Sequence, residues 1–393
     1  MPAVAASTIW RITQPDVREL REPLLELWRR NLPNASSSRF GWLYESGRAE
    51  AFLLGEPRVV GSAGCLSRRF AIAGEMVEGG AAIDLNVDES QRSVGPALTL
   101  ARAVTQAADQ NGLACLYGLP IPRAAAVLKR CGYRQIGAIS NWTKLLRSEF
   151  KLRDVVRSRL AAKLVAPFVD AAMRWKSSDG RRLPADFVAE SPTEFDARFD
   201  KLWQRASQRF GVIGERTADF LSWRFSKCPD LKYEIFALSR RDELLGYVVW
   251  YQDEDSICIA DLLADEDSIE LLLSEFTRLA RRRRAAAIRM SCFGPPEFCQ
   301  RLQSSGLVVG ILAPAGFDGG AGADVGRDWR VVSDNGGSRH RRVKGRRHAF
   351  QTGTVGTHAR RDGLRTSAAD GAVLEWRADP QLSPHRRTRR FAV

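Results

Sequence analysis

Apolar residues recur along the first part of the chain in an order that predicts alternating strands and helices. Between Val17 and Arg30 they stand three or four residues apart, which predicts a helix with one buried face and Asp16 as its cap. A first strand is expected at 8–15, and short strands are expected between 51 and 87. The pattern then predicts a helix at 97–110, a buried strand at 113–117, a helix at 122–130 and one or two strands at 134–145.

The same order of elements returns in the second half of the chain. Six landmarks recur, among them Leu202-Trp203-Gln204-Arg205 beside Leu27-Trp28-Arg29-Arg30. Helices are expected at 195–207, 268–284 and 298–305, and strands at 233–239, 244–251, 257–264 and 288–293. We infer an α/β protein with two copies of one unit, each a mixed, mostly antiparallel sheet flanked by helices.

This periodicity divides the chain into four parts. Residues 1–147 form the first unit and 191–312 the second. Between them, 148–190 comprise a basic amphipathic helix and a loop, which we expect to connect the units; binding to a membrane surface is the alternative. Residues 313–393 hold few apolar runs and many Arg, Gly, Ser and Thr, so we expect a flexible, disordered basic tail.

Charge is concentrated in that tail. The formal net charge is +14, and fourteen Lys and Arg stand against five Asp and Glu between 331 and 393. All four histidines lie there too, which excludes catalysis or metal ligation by histidine in the two units. Nucleic-acid binding through the tail is one interpretation, and an unevolved tail, for example from a reading-frame change, is the other.

The cysteines and the N-terminus bear on location. The seven cysteines form no CxxC pair and lie mostly among apolar residues, so we expect buried, reduced thiols in a cytoplasmic protein. The N-terminus lacks a basic start followed by an apolar run, so no signal peptide is expected. No apolar stretch is long enough to span a membrane. The sequence indicates no metal site and no oligomeric state.

One turn in the first unit has the features of an anion site. A strand ending near Val87 leads through Arg92-x-x-Gly95-x-Ala97 into an apolar helix. The start of a helix offers unpaired backbone N–H groups and the positive end of the helix dipole. Gly95 lets a ligand approach the backbone, and Pro96 has no N–H to leave unpaired. The turn is therefore expected to cradle a phosphate.

This strand, turn and helix resemble the acetyl-CoA loop of the GNAT acyltransferase superfamily, written (Gln/Arg)-x-x-Gly-x-(Gly/Ala). The strand at 113–117 and Ala125-x-x-Leu128-x-x-x-Gly132-Tyr133 resemble the family's later motif. The likeness covers residues 8–145 and, more faintly, 190–310. It implies an N-acyltransferase that uses acetyl-CoA, without a metal, and an amine acceptor such as an amino sugar, a small amine or a protein amine.

The resemblance also implies roles for single residues. Pyrophosphate would lie on the backbone of the turn, and the pantetheine arm would pair with the strand before it; the residues concerned are Arg92, Ser93, Val94, Gly95, Pro96 and Ala97, and Leu85 and Val87. The amine must lose a proton, and Asp84 and Glu78 are the candidate bases, with Asp84 preferred. The family's general-acid tyrosine is replaced by Leu128, which leaves the acid open between Tyr117 and Tyr133.

The second unit departs further from the family. Its corresponding loop reads Asp265-Glu266-Asp267, without Gly or Arg, and three carboxylates would repel a pyrophosphate. We therefore expect acetyl-CoA in the first unit alone. Two other functions stay open: a non-catalytic binding protein with a degenerate GNAT fold, and a Fem-type aminoacyl transferase, which also pairs two GNAT-like units and uses charged tRNA. The turn at 92–97 argues against the second.

Overall fold

A computed structural model describes residues 11–32, 35–55, 58–147 and 183–310, and the backbone of 371–377. The strands within these ranges are β1 (Ile12–Thr13), β2 (Ala49–Leu54), β3 (Gly61–Ile72), β4 (Glu75–Val87), β5 (Cys115–Gly118), β6 (Arg134–Leu145), β7 (Phe187–Glu190), β8 (Val212–Gly214), β9 (Glu234–Arg240), β10 (Glu243–Asp253), β11 (Ser256–Ala264), β12 (Ala287–Cys292), β13 (Val308–Val309) and β14 (Gly371–Arg377).

The α-helices in the same ranges are α1 (Val17–Asn31), α2 (Ser37–Phe40), α3 (Val94–Gln110), α4 (Pro122–Arg130), α5 (Ala197–Arg209), α6 (Ala218–Leu221), α7 (Ile269–Arg282) and α8 (Pro296–Ser304). Single π-helical turns continue α2 at Gly41–Glu45 and α6 at Ser222–Ser226. Short 3₁₀ turns precede α3 at Glu89–Gln91 and α7 at Glu266–Ser268.

The strands form two mixed sheets flanked by helices, as the sequence predicts. The first sheet has the order β1-β2-β3-β4-β5 and the second the order β6-β12-β11-β10-β9-β7. In each sheet one neighbouring pair is parallel, β4 with β5 and β11 with β12, and the other pairs are antiparallel. The fold class is therefore α/β with two units of similar strand arrangement.

The two units exchange strands. β6 follows the first unit in sequence but pairs with β12 of the second sheet, with Trp142 opposite Met290. In return, β8 comes from the second half and pairs with β3, with Gly214 opposite Phe70. A boundary drawn at residue 147 thus places β6 with the wrong sheet, because hydrophobic periodicity identifies a strand but not its partner.

The predicted tail contains one further strand. β14 lies between β5 and β6 and is antiparallel to both, so it joins the two sheets. The expectation of a disordered tail is wrong for these seven residues, whose backbone hydrogen-bonds on both sides. The rest of the tail and the predicted connector helix at 148–176 lie outside the described residues.

Local sequence explains the first helix and the shared core that it enters. Asp16 caps α1 as expected: its carboxylate accepts hydrogen bonds from the backbone N–H of Arg18 at 3.0 Å and of Glu19 at 3.2 Å. The apolar stripe of α1, represented by Leu24 and Trp28, is buried in a cluster that also contains Phe199 of α5. One hydrophobic core therefore spans both units.

A second apolar layer lies on the opposite face of the first sheet. Its largest buried members come from β2, β5, α3, α4 and the residues after α4, and they are Phe52, Leu54, Leu100, Val104, Leu116, Val127, Leu128 and Tyr133. Among the described helices, none is long and apolar enough to cross a membrane. The described residues also hold no group of three or more His, Cys, Asp and Glu placed to bind a metal.

Candidate active site

An apolar groove opens where β4 and β5 cease to pair. Their parallel pairing is confined to Gly80 with Leu116 and Ala81 with Tyr117. Beyond that point lies a cavity of ≈ 160 Å³ between the end of β4 and the chain that leaves β5. Its lining comes from β3, β4, β5, α3 and α4, and comprises Ala63, Gly64, Leu66, Ala81, Ala82, Ile83, Asp84, Leu85, Ala101, Val104, Tyr117, Gly118, Leu119, Pro120, Ile121, Ala124, Leu128 and Tyr133.

A β-bulge shapes β4 where it borders the groove. Ser62 of β3 lies opposite Asn86, whereas Gly64 lies opposite Ile83, so β4 contains one extra residue. Asp84 takes up this residue with a φ of 52°, an unusual conformation outside glycine. Because strand side chains otherwise alternate between faces, the bulge turns Asp84 toward the same face as Ile83.

The Asp84 carboxylate is held in a buried ion pair. Arg39 of α2 donates from Nη2 to Oδ1 at 2.8 Å, and the Tyr44 hydroxyl donates to Oδ2 at 2.9 Å. The side chains of Arg39 and Asp84 are each 3% exposed. Burial, and then the charge of Asp84, raise the pKa of Tyr44 well above its usual value. Burial opposes the charge of Arg39, but Asp84 outweighs it and raises the pKa of the guanidinium.

Close packing across the bulge requires a glycine at position 64. A Cβ on Gly64 would lie 2.9 Å from Ile83 Cγ1 and 2.9 Å from the Tyr44 hydroxyl oxygen, so these buried side chains would have to shift. The other predicted base, Glu78, is exposed near the start of β4 and does not line the groove. Of the two carboxylates, only Asp84 borders the groove.

The predicted phosphate turn lies on the surface at the end of β4. α3 begins at Val94, three residues earlier than expected, and Ser93 precedes it in an extended conformation without capping the helix by its side chain. Residues 92–95 are exposed, and a Cβ on Gly95 would meet no atom within 4 Å. The first N–H groups of α3 therefore point into open space beside the groove.

Three side chains near the groove, those of Arg92, Val94 and Ile121, have orientations that the sequence does not reveal. Arg92 turns back toward β4, and its Nε donates to the carbonyl oxygen of Val87 at 3.2 Å. Val94 at the start of α3 is 47% exposed, and Ile121 just before α4 is 49% exposed. These two apolar side chains are among the most exposed in the described residues, and Ile121 lines the groove.

Solved structures with the same arrangement identify the fold. A conserved protein from Enterococcus faecalis V583, described as a probable N-acyltransferase, is 10% identical and matches 77% of this chain and 70% of its own with a TM-score of 0.57. A GCN5-related N-acetyltransferase from Anabaena variabilis is 13% identical over 77% of this chain and 70% of its own, with a TM-score of 0.55. The chain has the GNAT fold. At these identities the likeness concerns the fold alone.

Sequence comparison adds nothing to this identification. Neither a protein-family model nor a curated protein matches the sequence. A third structure, a GCN5-related N-acetyltransferase from Kribbella flavida, is 15% identical over 72% of this chain and 64% of its own, with a TM-score of 0.50. The GNAT fold is thus preserved here with little of its usual sequence.

Two tyrosines line the GNAT groove, as the sequence allowed. Tyr117 and Tyr133 are 4% and 3% exposed, and Leu128 lies beside them in the groove wall. Burial raises the pKa of Tyr133, and the nearby Thr105 side chain lowers it in part. Its hydroxyl therefore stays protonated at neutral pH.

Equivalent contacts align the second GNAT unit with the first. The Asp88 N–H donates to the Val60 carbonyl oxygen at 2.7 Å, and the Asp265 N–H donates to that of Leu245 at the same distance. Arg30 Nε contacts the Asp88 carboxylate at 3.0 Å, and Arg205 Nη2 contacts that of Asp265 at 2.8 Å. Asp265 therefore corresponds to Asp88.

This alignment corrects one sequence argument. Asp265-Glu266 has its counterpart in Asp88-Glu89 of the first unit, so these acids do not distinguish the units. The difference lies in the turn that follows, which is two residues shorter before α7 than before α3. Ser268 and Ile269 at the start of α7 are buried, and nearby Glu270 pairs with Arg301. The start of α7 is therefore less exposed than the start of α3.

The alignment also finds a counterpart for Asp84. Asp261 lies four residues before Asp265, as Asp84 lies four residues before Asp88. It accepts from Arg216 Nε at 3.2 Å and from the Tyr247 hydroxyl at 2.7 Å. All nine residues of β11 are buried, however, and the cavity that Asp261 borders measures ≈ 10 Å³ and is lined by charged residues such as Arg68 and Glu215. The buried Arg–Asp–Tyr cluster thus occurs in both units, and the first unit has the larger cavity beside it.

Proposed function

We propose that the chain is an N-acyltransferase that transfers an acyl group, in the simplest case acetyl from acetyl-CoA, to an amine. One observation carries the proposal: an apolar groove lined by residues 81–85 runs beside β4, which ends at Val87, just before the exposed residues 89–95 that lead into α3. The groove suits a thioester arm and the helix start suits a pyrophosphate. An amino sugar, a small amine and a protein amine are all compatible acceptors.

The phosphate end of the donor would be held by backbone. The backbone N–H groups of Val94 and Gly95, in the first turn of α3, would be the donors, whereas that of Ser93 already donates to the Gln91 carbonyl oxygen at 2.7 Å. A Cβ on Gly95 would meet no atom within 4 Å, so a diphosphate could approach its backbone. Pro96 is buried and fixes the turn. Arg92 adds positive charge beside the site while its Nε stays on the Val87 carbonyl oxygen.

The thioester end would lie along β4. Residues 85 and 87 offer backbone groups to the pantetheine arm, and the bulge at Asp84 brings backbone to the groove where the acyl carbonyl would lie. A backbone N–H there would stabilise the oxyanion that forms when the amine attacks. When bound, acetyl-CoA supplies the activated acyl group and a thiolate as leaving group.

Two proton transfers complete the reaction. Asp84 is the candidate base for the amine; its alternative role is to position Tyr44 and Arg39, which already occupy both carboxylate oxygens. Tyr117 and Tyr133 are the candidate acids for the departing thiolate, because both line the groove. Tyr133 is protonated at neutral pH and so could donate a proton.

The second unit would not bind the donor. We propose that the chain is a tandem of two GNAT units in which the covered start of α7 has lost the phosphate site. The second unit instead supports the first through the shared core. The absence of disulfides among the seven cysteines, all within the described residues, supports our proposal of a reducing, cytoplasmic setting.

Binding of the donor tests the proposal directly. At a hundredfold excess over Kd, acetyl-CoA should stabilise the protein by about 2.7 kcal/mol and raise its melting temperature. Gly95→Glu should abolish the rise, because a carboxylate would occupy the phosphate position. Pro296→Glu, which adds the same charge at the exposed start of α8, should leave it intact. If acetyl-CoA does not raise the melting temperature of the unmodified protein at any concentration, the proposed acyltransferase activity is contradicted.

A further inference from the structure

A strongly basic face of the first unit borders the groove. Helices α3 and α4 cover the same side of the first sheet, and both contribute to the groove wall. Between 89 and 134, six Lys and Arg stand against two Asp and Glu, whereas ten stand against eleven between 11 and 88. The six cationic side chains are all exposed, and they are Arg92, Arg102, Arg123, Lys129, Arg130 and Arg134. We call this surface the basic face.

Few of the cations on the basic face have an acid beside them. Arg92 Nη1 lies 3.9 Å from Glu89, and none of the other five pairs with a carboxylate among the described residues. On the far side of the sheet, in contrast, Arg30 of α1 pairs with Glu26 at 2.6 Å. A face of like charges without counter-charges attracts an anionic partner and repels a cationic one.

Two apolar side chains lie uncovered at the starts of the same helices. Val94 of α3 and Ile121 before α4 are each about half exposed, and Ile121 also lines the groove. Apolar side chains within a charged rim are typical of the centre of a protein–protein interface. Nucleic acid offers phosphates to such a face but little aliphatic surface to the two apolar side chains. The features together favour an acidic protein.

The start of α3 provides donors for one phosphate. Of the four N–H positions that begin the helix, Pro96 has no N–H, and that of Ser93 donates to the Gln91 carbonyl oxygen. Val94 and Gly95 therefore supply two donors, which match the two free oxygens of a phosphodiester. Coenzyme A carries a diphosphate and a further phosphate on its ribose. A phosphopantetheine arm attached to a protein serine carries one phosphodiester alone.

We propose that the acyl donor is carried by an acidic protein, which docks on the basic face and inserts its acylated phosphopantetheine arm into the groove. This inference rests on the proposed function and specifies the carrier of its donor. The amine nitrogen bonds to the acyl carbon, and the carbon–sulfur bond of the thioester breaks. The amine loses a proton, the sulfur gains one, and the carrier protein leaves with a free thiol on its arm.

Equilibrium binding to the full chain tests the preference without knowledge of the acceptor. Four probes are compared by calorimetry: acetyl-CoA, an acidic acyl carrier protein charged with acetyl-phosphopantetheine, the same carrier protein without its arm, and a short DNA duplex. The charged carrier protein should bind about tenfold more tightly than acetyl-CoA and more tightly than the carrier protein without its arm. The advantage over acetyl-CoA should narrow as salt is raised, because salt screens exposed charges.

Two double variants locate the docking surface. Arg102 and Arg130 lie about 12 Å along α3 and α4 from the helix starts, away from the phosphate donors. Arg102→Glu/Arg130→Glu should weaken binding of the charged carrier protein about tenfold. Binding of acetyl-CoA should be unchanged, which also shows that the variant is folded. The control Arg18→Glu/Lys201→Glu makes the same change in net charge at exposed positions of α1 and α5, and it should keep the preference.

The outcomes separate this inference from the proposed function. If acetyl-CoA binds and the charged carrier protein binds no better, the inference is overturned and an acyltransferase that uses acetyl-CoA stands. If the preference for the carrier protein survives in Arg102→Glu/Arg130→Glu, the docking surface is elsewhere and the inference is wrong. If the DNA duplex binds more tightly than the carrier protein and loses affinity in that variant, the face binds nucleic acid instead. If neither thioester binds, the proposed function fails, and the inference fails with it.

Discussion

Trp42 and Trp223 stack on each other across the two units and exchange hydrogen bonds. Their ring centroids lie 4.9 Å apart at an interplanar angle of 15°. Trp42 Nε1 donates to the Trp223 carbonyl oxygen at 2.9 Å, and Trp223 Nε1 donates to the Trp42 carbonyl oxygen at 3.2 Å. Each lies in a π-helical turn, so the same feature of both units meets at a local two-fold relation. The turn that carries Tyr44 is thereby fixed to the second unit.

Weakening this pair should disturb the Asp84 site. Trp223→Phe removes one donor and part of the stack, and we expect a loss of about 1–3 kcal/mol in the free energy of unfolding. Because Tyr44 lies two residues after Trp42, the variant should also lower acyltransfer. Trp250→Phe, in the core of the second unit, should destabilise the protein without a comparable loss of turnover. If Trp223→Phe and Trp250→Phe lose the same amount of stability and also the same amount of turnover, the Trp pair has no specific role at the Asp84 site.

The two buried aspartates offer a matched test of catalysis. Asp84→Asn and Asp261→Asn each leave a buried arginine without its carboxylate, so each should cost about 3–5 kcal/mol of stability. Asp84→Asn alone should reduce acyltransfer, because only Asp84 borders the groove. Turnover is compared below both melting temperatures and over a range of pH.

The pH profile then separates the two roles of Asp84. If Asp84 accepts the proton of the amine, the kcat/KM profile of Asp84→Asn should lack the acid limb of the unmodified protein. If Asp84 only positions Tyr44, the limb should persist at lower amplitude, and Tyr44→Phe should reduce turnover to a similar extent. Unchanged turnover in Asp84→Asn would exclude both roles.

The sequence predicted the strand, the turn and the helix around residues 87–97 but not the partners of Asp84, and the reason is physical. Strand, turn and helix follow from short-range periodicity and from Gly95 and Pro96, which are adjacent in sequence. The contact of Asp84 with Arg39 depends on one extra residue in β4, which reverses the face of a side chain and leaves no mark in the hydrophobic pattern. The sequence therefore names Asp84 as a candidate base but does not reveal its buried ion pair.

The difference between the turns before α3 and α7 cannot be assigned to single residues from the sequence, for a related reason. In the sequence, Asp265 stands where a phosphate turn is expected. In the structure, its N–H donates to a carbonyl oxygen of the neighbouring strand segment, as the N–H of Asp88 does in the first unit. Only the paired contacts reveal that the second turn is shortened and its helix start buried. The sequence pattern does not predict strand β14, because its partners, β5 and β6, lie more than two hundred residues away in sequence.

Buried tyrosines should limit stability at alkaline pH. Burial, and then the nearby aspartate, raise the pKa of Tyr44 and of Tyr247 well above 10. The folded state thus retains protons that the unfolded state releases at about pH 10. Their stabilising effect is full below about pH 10 and is lost as pH rises further, by about 1.4 kcal/mol per pH unit for each group.

Denaturant unfolding between pH 8 and pH 11 checks this expectation. The free energy of unfolding should fall more steeply above pH 10 than in the double variant Tyr44→Phe/Tyr247→Phe. Cys65 contributes with the same sign over a neighbouring range, because burial raises its pKa from 9.0 to about 12. Cys65 and the buried Tyr133 are present in both proteins, so the difference between the two slopes reports Tyr44 and Tyr247. Identical slopes with and without the two hydroxyls would contradict the assignment.

Strand β14 should be required for the groove, although it comes from the basic tail. It pairs with β5 at Tyr117 and Gly118, which line the groove, and with β6 on its other side. Glu375 lies opposite both Tyr117 and Arg134, so proline at this position would remove a donor from the middle of a sheet. Glu375→Pro should therefore weaken acetyl-CoA binding and lower the melting temperature. Glu375→Thr keeps the backbone N–H, so it should bind acetyl-CoA as before and keep its melting temperature. Full acetyl-CoA binding by Glu375→Pro would show that the first unit forms its groove without the tail.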